Sequence, residues 1–235
     1  CWGLAVGSFV GMLAVRLVNG RNWVRGRSLC CHCSAPLAWH AIIPVVSYLW
    51  LRGRSACCDR AIGWHYPLIE LLVASWWVLS WWRVEGSIEP WVPWLVLGWI
   101  GTLCLLIAAI DQVSYVIPDG LLLALIPLVI VWSDYRGMDW RGSLVHSVVV
   151  GGSLILLRGG WQLWYGEEAL GWGDIKWLSI LAFGLPASWL PWWIMTMGLA
   201  AIVLGYGYYR PRSIRHIPFA PSITLATAIG YLGAS

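Results

Sequence analysis

Long, unbroken apolar runs leave this chain few folds. A helix that crosses a bilayer needs roughly 20 mostly apolar residues, about 17–25 in practice. About eight runs approach that length, bounded by charges or by Gly and Pro clusters: Trp2–Val18, Tyr66–Trp82, Trp91–Ile110, Pro118–Trp132, Leu144–Trp164, Ile175–Leu190, Trp192–Tyr209 and Pro218–Leu232. The runs are continuous and do not alternate, which predicts helices and excludes a barrel. Composition agrees: 60% of residues are hydrophobic and 11% charged, against about 25% charged in a soluble domain. The expectation is an all-α membrane protein, a polytopic bundle of about eight transmembrane helices. Only residues 19–65 form a long polar stretch. The domain reading is therefore a first transmembrane helix at 1–18, a small cytoplasmic cysteine-containing loop at 19–65 and a transmembrane domain at 66–235, with no internal repeat.

Charge sets the orientation. The net charge of +4 is confined to loops between apolar runs, so it reports topology and implies no nucleic-acid partner; the partner surface is the lipid bilayer. With the amino terminus outside, the inner side receives Arg21, Arg25, Arg27, Arg52, Arg54, Arg60, Lys176, Arg210, Arg212 and Arg215, and the outer side Arg83, Arg136 and Arg141. The positive-inside rule demands that asymmetry, and an even number of spans puts both termini outside. The chain opens on Cys1 without an initiator methionine, so a trimmed start is expected, and the first run lacks the flanks of a cleavable signal peptide. Trp76, Trp77, Trp81, Trp82, Trp192 and Trp193 near run ends fit interfacial anchors.

Two acids stand out against that frame. Asp111 closes the run Trp91–Ile110, and Asp174 lies in Gly171-Trp172-Gly173-Asp174-Ile175-Lys176, just ahead of another run. The topology brings both to the cytoplasmic face. Intramembrane acids are costly and tend to mark function, and two adjacent carboxylates share a proton, so one serves as base and the other as acid. Gly171 and Gly173 would form a flexible turn that admits a peptide closely. Lys176, the chain's single lysine, would neutralise the pair or anchor at headgroups. Asp119 reads as the cap of the helix begun by Pro118. Glu70, near the inner end of the second run, is a supporting acid, and Arg158 in the fifth run needs a partner that the sequence does not name.

Together these residues resemble the type IV prepilin peptidases, bifunctional leader peptidase/N-methyltransferases. The resemblance rests on Gly7-Ser8-Phe9 with Arg16-Leu17, Pro44-Val45-Val46-Ser47-Tyr48-Leu49 with Leu51-Arg52-Gly53-Arg54, Tyr66-Pro67-Leu68-Ile69-Glu70, Ile110-Asp111 through Pro118-Asp119, the GxGDxK pattern ending at Lys176, and Ile217-Pro218-Phe219-Ala220-Pro221. It implies that Asp111 and Asp174 are catalytic aspartates of an enzyme in the bacterial inner membrane. It also implies cleavage of prepilin or pseudopilin precursors after a glycine at the cytoplasmic face. In bifunctional members the new amino terminus is then methylated from S-adenosylmethionine. The residues alone leave two other readings, a proton-coupled transporter and a non-catalytic assembly scaffold.

Five of the seven cysteines fall in the polar loop: Cys30-Cys31-His32-Cys33 and Cys57-Cys58. Clustered thiols in a reducing compartment favour zinc over a disulfide. The family's metal-binding form has two C-x-x-C pairs, and Ser55 stands at the third cysteine position. Cys30, Cys33 and Cys58 fit the pattern; the fourth ligand is open among Cys57, Cys31 and His32. Loss of that cysteine puts the methyl-transfer activity in question.

Overall fold

The computed structural model describes residues 2–20, 22, 28–30, 32–168, 170–209 and 219–233, with the side chains of 206–209 excepted. Arg21, Arg25, Arg27, Cys31, Arg210, Arg212, Arg215 and the pair Ile217-Pro218 lie outside the described residues, as does Cys1. Among the described residues the regular structure is helical, and the chain separates into two compact units, Cys1–Trp82 and Arg83–Ser235.

In the first unit, α1 (Trp2–Val18) lies against α3 (His65–Val84). Small residues spaced by four make the approach close: a Cβ on Gly3 would stand 2.7 Å from Ala74 Cα, and one on Gly7 would stand 2.7 Å from Glu70 Cα. Glycine stripes of this kind let helix backbones touch where lipid offers no hydrophobic drive. Between them runs a polar loop with a short helix α2 (Val46–Trp50) and two isolated β-bridges, Leu29 with Pro36 and Arg54 with Ala61.

The second unit holds α4 (Trp91–Ser114), α5 (Asp119–Tyr135), α6 (Trp140–Tyr165), α7 (Trp172–Phe183), α8 (Leu190–Tyr209) and α9 (Ala220–Gly233). α7 packs on α6, α5 and α9, while α4 packs on α5 and α9. Hydrogen bonds tie these pairs, each giving a side-chain hydroxyl a backbone acceptor in apolar surroundings. Tyr231 of α9 donates to Leu181 O of α7 at 2.9 Å, Thr224 of α9 to Cys104 O of α4 at 3.2 Å, and Ser147 of α6 to Ser179 O of α7 at 2.5 Å.

Among the described residues, three stretches are long and apolar enough to cross a membrane by length and composition: Trp91–Ser114, Trp140–Tyr165 and Ala187–Gly205. The apolar run expected over Ile175–Leu190 is interrupted, because α7 stops at Phe183 before Gly184-Leu185-Pro186. Twelve helical residues extend about 18 Å, so a crossing of a hydrocarbon core of about 30 Å there would need the turn and short helix that follow, through Trp189, as well. α4 runs one turn past Asp111 and ends where Tyr115, left-handed at φ 53°, donates its N–H to Asp111 O. The tryptophans divide. Trp82 and Trp192 are exposed as anchors must be, whereas Trp76, Trp77 and Trp193 are buried and act as packing residues.

Candidate active site and metal site

Asp111 is buried in the last turn of α4. Its Oδ2 accepts from the Ala220 N–H, the first residue of α9, at 3.4 Å. Asp174 is the third residue of α7, and its carboxylate turns back to the N–H of Gly171, the residue that precedes the helix. An acid at this position answers one of the donors a helix start leaves unpaired. The two carboxylates, 63 positions apart in sequence, are close enough to interact electrostatically.

The glycines around Trp172 supply space. Gly171 has φ −69° and ψ 148°, a conformation open to any residue. A Cβ there would stand 3.1 Å from Asp174 Oδ2, and one on Gly173 would stand 2.9 Å from Ile117 Cβ. Gly171 thus leaves room for the carboxylate and Gly173 for the segment that links α4 to α5. Lys176 joins the same junction, its Nζ 2.8 Å from Asp119 Oδ1 with both side chains exposed. Lys176 therefore meets Asp119 rather than either aspartate of the pair. Sequence spacing held no signal for this contact, which spans 57 positions.

Arg158, 6% exposed on α6, finds three partners in the segment ahead of Asp174. Its Nη2 lies 2.6 Å from Glu168 Oε1, its Nη1 donates to Leu170 O, and its guanidinium stands 4.9 Å from the centre of the Trp172 ring.

In the first unit Glu70 accepts from the Val45 N–H at 2.7 Å and from the Ser8 hydroxyl. Val45 adopts φ 60°, unusual for a β-branched residue, and the Glu70 carboxylate secures it there.

The Sγ atoms of Cys30, Cys33, Cys57 and Cys58 all lie within 4.8 Å of one another, Cys30 and Cys58 being 3.8 Å apart and Cys33 and Cys57 3.2 Å. Four thiolates at about 2.3 Å from a tetrahedral zinc ion are about 3.8 Å apart, so the set fits a metal of that kind. Backbone bonds show why. Cys30 N donates to Ala35 O and Ser34 N to Cys30 O, and the pattern recurs with Ser55 N to Arg60 O and Asp59 N to Ser55 O. Ser34 and Asp59 are both left-handed, φ 57° and 53°. These are two copies of one turn, in which Ser55 matches Cys30 and Cys58 matches Cys33; the repeat escapes a sequence search because so few side chains are shared. Cys57 takes the place Ser55 leaves, and the Ser55 hydroxyl lies 3.2 Å from Cys30 Sγ and 3.1 Å from Cys57 Sγ. His32 instead meets Ala61 O at 3.0 Å. The Ser55 hydroxyl and the nearby amides of Cys33 and His32 draw the Cys30 thiol down to about 5. The Ala35 amide lowers Cys33, but the thiols of Cys57, Cys30 and Cys58, with burial, push it up to about 12.

Residues 1–84 match the bacterial peptidase A24 N-terminal domain, and residues 98–208 match the type IV leader peptidase family. Among similar proteins, a prepilin leader peptidase/N-methyltransferase of Klebsiella pneumoniae is 35% identical over 81% of this chain and 82% of its own length. Proteins of the same description from Neisseria gonorrhoeae and Pseudomonas aeruginosa are 33% and 30% identical, over 87% and 98% of this chain and 70% and 87% of their own lengths. No solved structure matches the chain.

Proposed function

The chain belongs to the type IV leader peptidase family, and from that premise we propose that it is a membrane aspartic endopeptidase that removes the leader from prepilin or pseudopilin precursors. One observation carries the reading: Asp111 near the end of α4 and Asp174 at the start of α7 lie within electrostatic range of each other. In this reading one carboxylate, ionised, takes a proton from water, and the other, protonated, donates to the scissile carbonyl. The Ala220 and Gly171 amides hold the two side chains from opposite helix starts. A transporter is not favoured by the family assignment.

The charge asymmetry and the apolar helices support a multi-pass protein of the bacterial inner membrane, with about eight spans, both termini outside and the cysteine loop and aspartates at the cytoplasmic face. Residues 1–18 and 66–235 would form the membrane part, and 19–65 the cytoplasmic loop. Cys30, Cys33, Cys57 and Cys58 would hold zinc, which supplies a structural cross-link between the two turns.

The relatives' names carry a second activity, N-methylation of the new amino terminus, for which S-adenosylmethionine supplies the methyl group. The candidate acid for a sulfonium cofactor in the first unit is Glu70, and its carboxylate is already engaged by Val45 and Ser8. These residues as arranged do not form a cradle for that cofactor, so the second activity rests on the relatives alone.

Purified protein incubated with a precursor and S-adenosylmethionine, followed by mass spectrometry of the product, tests both activities. Cleavage after a glycine is expected, and its abolition by Asp111→Asn or by Asp174→Asn. Undiminished cleavage by either variant would refute the aspartate pair.

A further inference from the structure

The Leu170–Gly171 peptide group is held at both ends. Its carbonyl accepts from Arg158 Nη1, and its N–H donates to the Asp174 carboxylate. A peptide unit is planar and stiff, so a donor fixed on the oxygen sets where the N–H points, and a cationic donor also polarises the amide and strengthens the bond at its other end. Arg158 is well placed to fix that plane. It is buried on α6, about two turns before the helix ends, and its remaining edges are taken by Glu168 and by the Trp172 ring. All three partners lie in the segment that leads into Asp174. A planar guanidinium can serve an acid, a carbonyl and a ring together, whereas an ammonium cannot match the full set.

We propose that Arg158 is a positioning residue for the peptidase reaction, orienting the Asp174 carboxylate through the Leu170–Gly171 peptide. The proposal rests on the peptidase reading. It explains why a charge is tolerated on the buried face of an otherwise apolar helix, where an ion must be paired to persist.

The test compares wild type, Arg158→Met, Arg158→Lys and Glu168→Gln in detergent, using a precursor peptide with a basic leader. Misplacing a reacting group by about 1 Å can cost about a hundredfold. Arg158→Met is accordingly expected to lower kcat by about ten- to a hundredfold with KM nearly unchanged. The acid limb of its kcat profile moves to higher pH, because a weakened amide bond favours the ionised carboxylate less. Arg158→Lys recovers part of both effects, and Glu168→Gln, which removes only the exposed partner, changes kcat by less than about threefold. Hydrogen exchange of residues 166–174, measured without substrate, should accelerate in Arg158→Met. Unchanged exchange in that segment, or an unchanged kcat and pH profile, overturns the proposal; so does a loss confined to KM or one that merely tracks the melting temperature. Failure of the peptidase reading would show separately, as a wild-type protein that leaves the precursor intact, while the exchange result still decides whether Arg158 orders the segment.

Discussion

Single side chains decide the chemistry here, and their environments are unequal. Asp111 is buried with one amide for company, and Asp174 is half-buried at a helix start. Removing either carboxylate takes away an acid or a base that a positioned side chain ordinarily supplies, worth about 10²–10⁴ in rate. Asp111→Asn and Asp174→Asn are expected to lose at least that much kcat, measured by precursor cleavage, while the melting temperature holds. The cysteine site makes a different demand. On the proposed zinc site, with Cys57 as the ligand that position 55 does not supply, Cys57→Ser should release zinc, and Ser55→Cys added to it should restore binding, since position 55 matches Cys30 in the repeated turn. Elemental analysis of the two proteins reads this directly. The site also carries a pH signature. Metal binds thiolates, and the thiols around Cys33 outweigh the Ala35 amide and push it up, so binding must expel at least one proton and zinc affinity should fall by at least about tenfold for each unit of pH lowered across neutrality.

Elements meet here through what glycine leaves out. Gly7 and Gly173 both face atoms that a methyl group could not avoid, Glu70 Cα at 2.7 Å and Ile117 Cβ at 2.9 Å. Backbone atoms yield less than side chains. Gly7→Ala should therefore destabilise by about 1–3 kcal/mol through overpacking, seen as a lower melting temperature. Gly173→Ala pushes on a side chain at the start of α7, and its effect should fall on cleavage more than on stability. The Lys176–Asp119 pair crosses the same junction in the open. Exposed ion pairs contribute about 0–1 kcal/mol, so Lys176→Ala should change stability by less than about 1 kcal/mol, with even that difference vanishing at high salt. The glycines of GxGD were legible as small residues near an acid; that they clear space, with no unusual backbone conformation, was not, because the neighbouring atoms belong to segments far along the chain.

At the scale of the whole molecule, the proposed orientation rests on charge: Arg52, Arg54 and Arg60 lie in the cysteine loop, and Arg83, Arg136 and Arg141 flank runs that the proposed topology assigns to the outside. Single cysteines introduced at Ser87 and at Ser188 should react with a membrane-impermeant thiol reagent added outside intact cells, and one at Ser34 only after the membrane is opened. The reverse labelling would place the aspartates outside. Apolar runs, loop charges and the GxGDxK pattern are local properties of the sequence, readable because hydrophobic transfer and charge translocation act on segments one at a time. They determined helices, a membrane setting and the family, and they singled out the two aspartates as candidates. What only the tertiary structure decided is partnership: Cys57 among the clustered thiols, Asp119 for Lys176, the Ala220 amide for Asp111, and Glu168, Leu170 and Trp172 for Arg158. Each such choice depends on which of several adequate donors and acceptors the packed helices bring within about 3 Å, and that distance is a property of the folded chain.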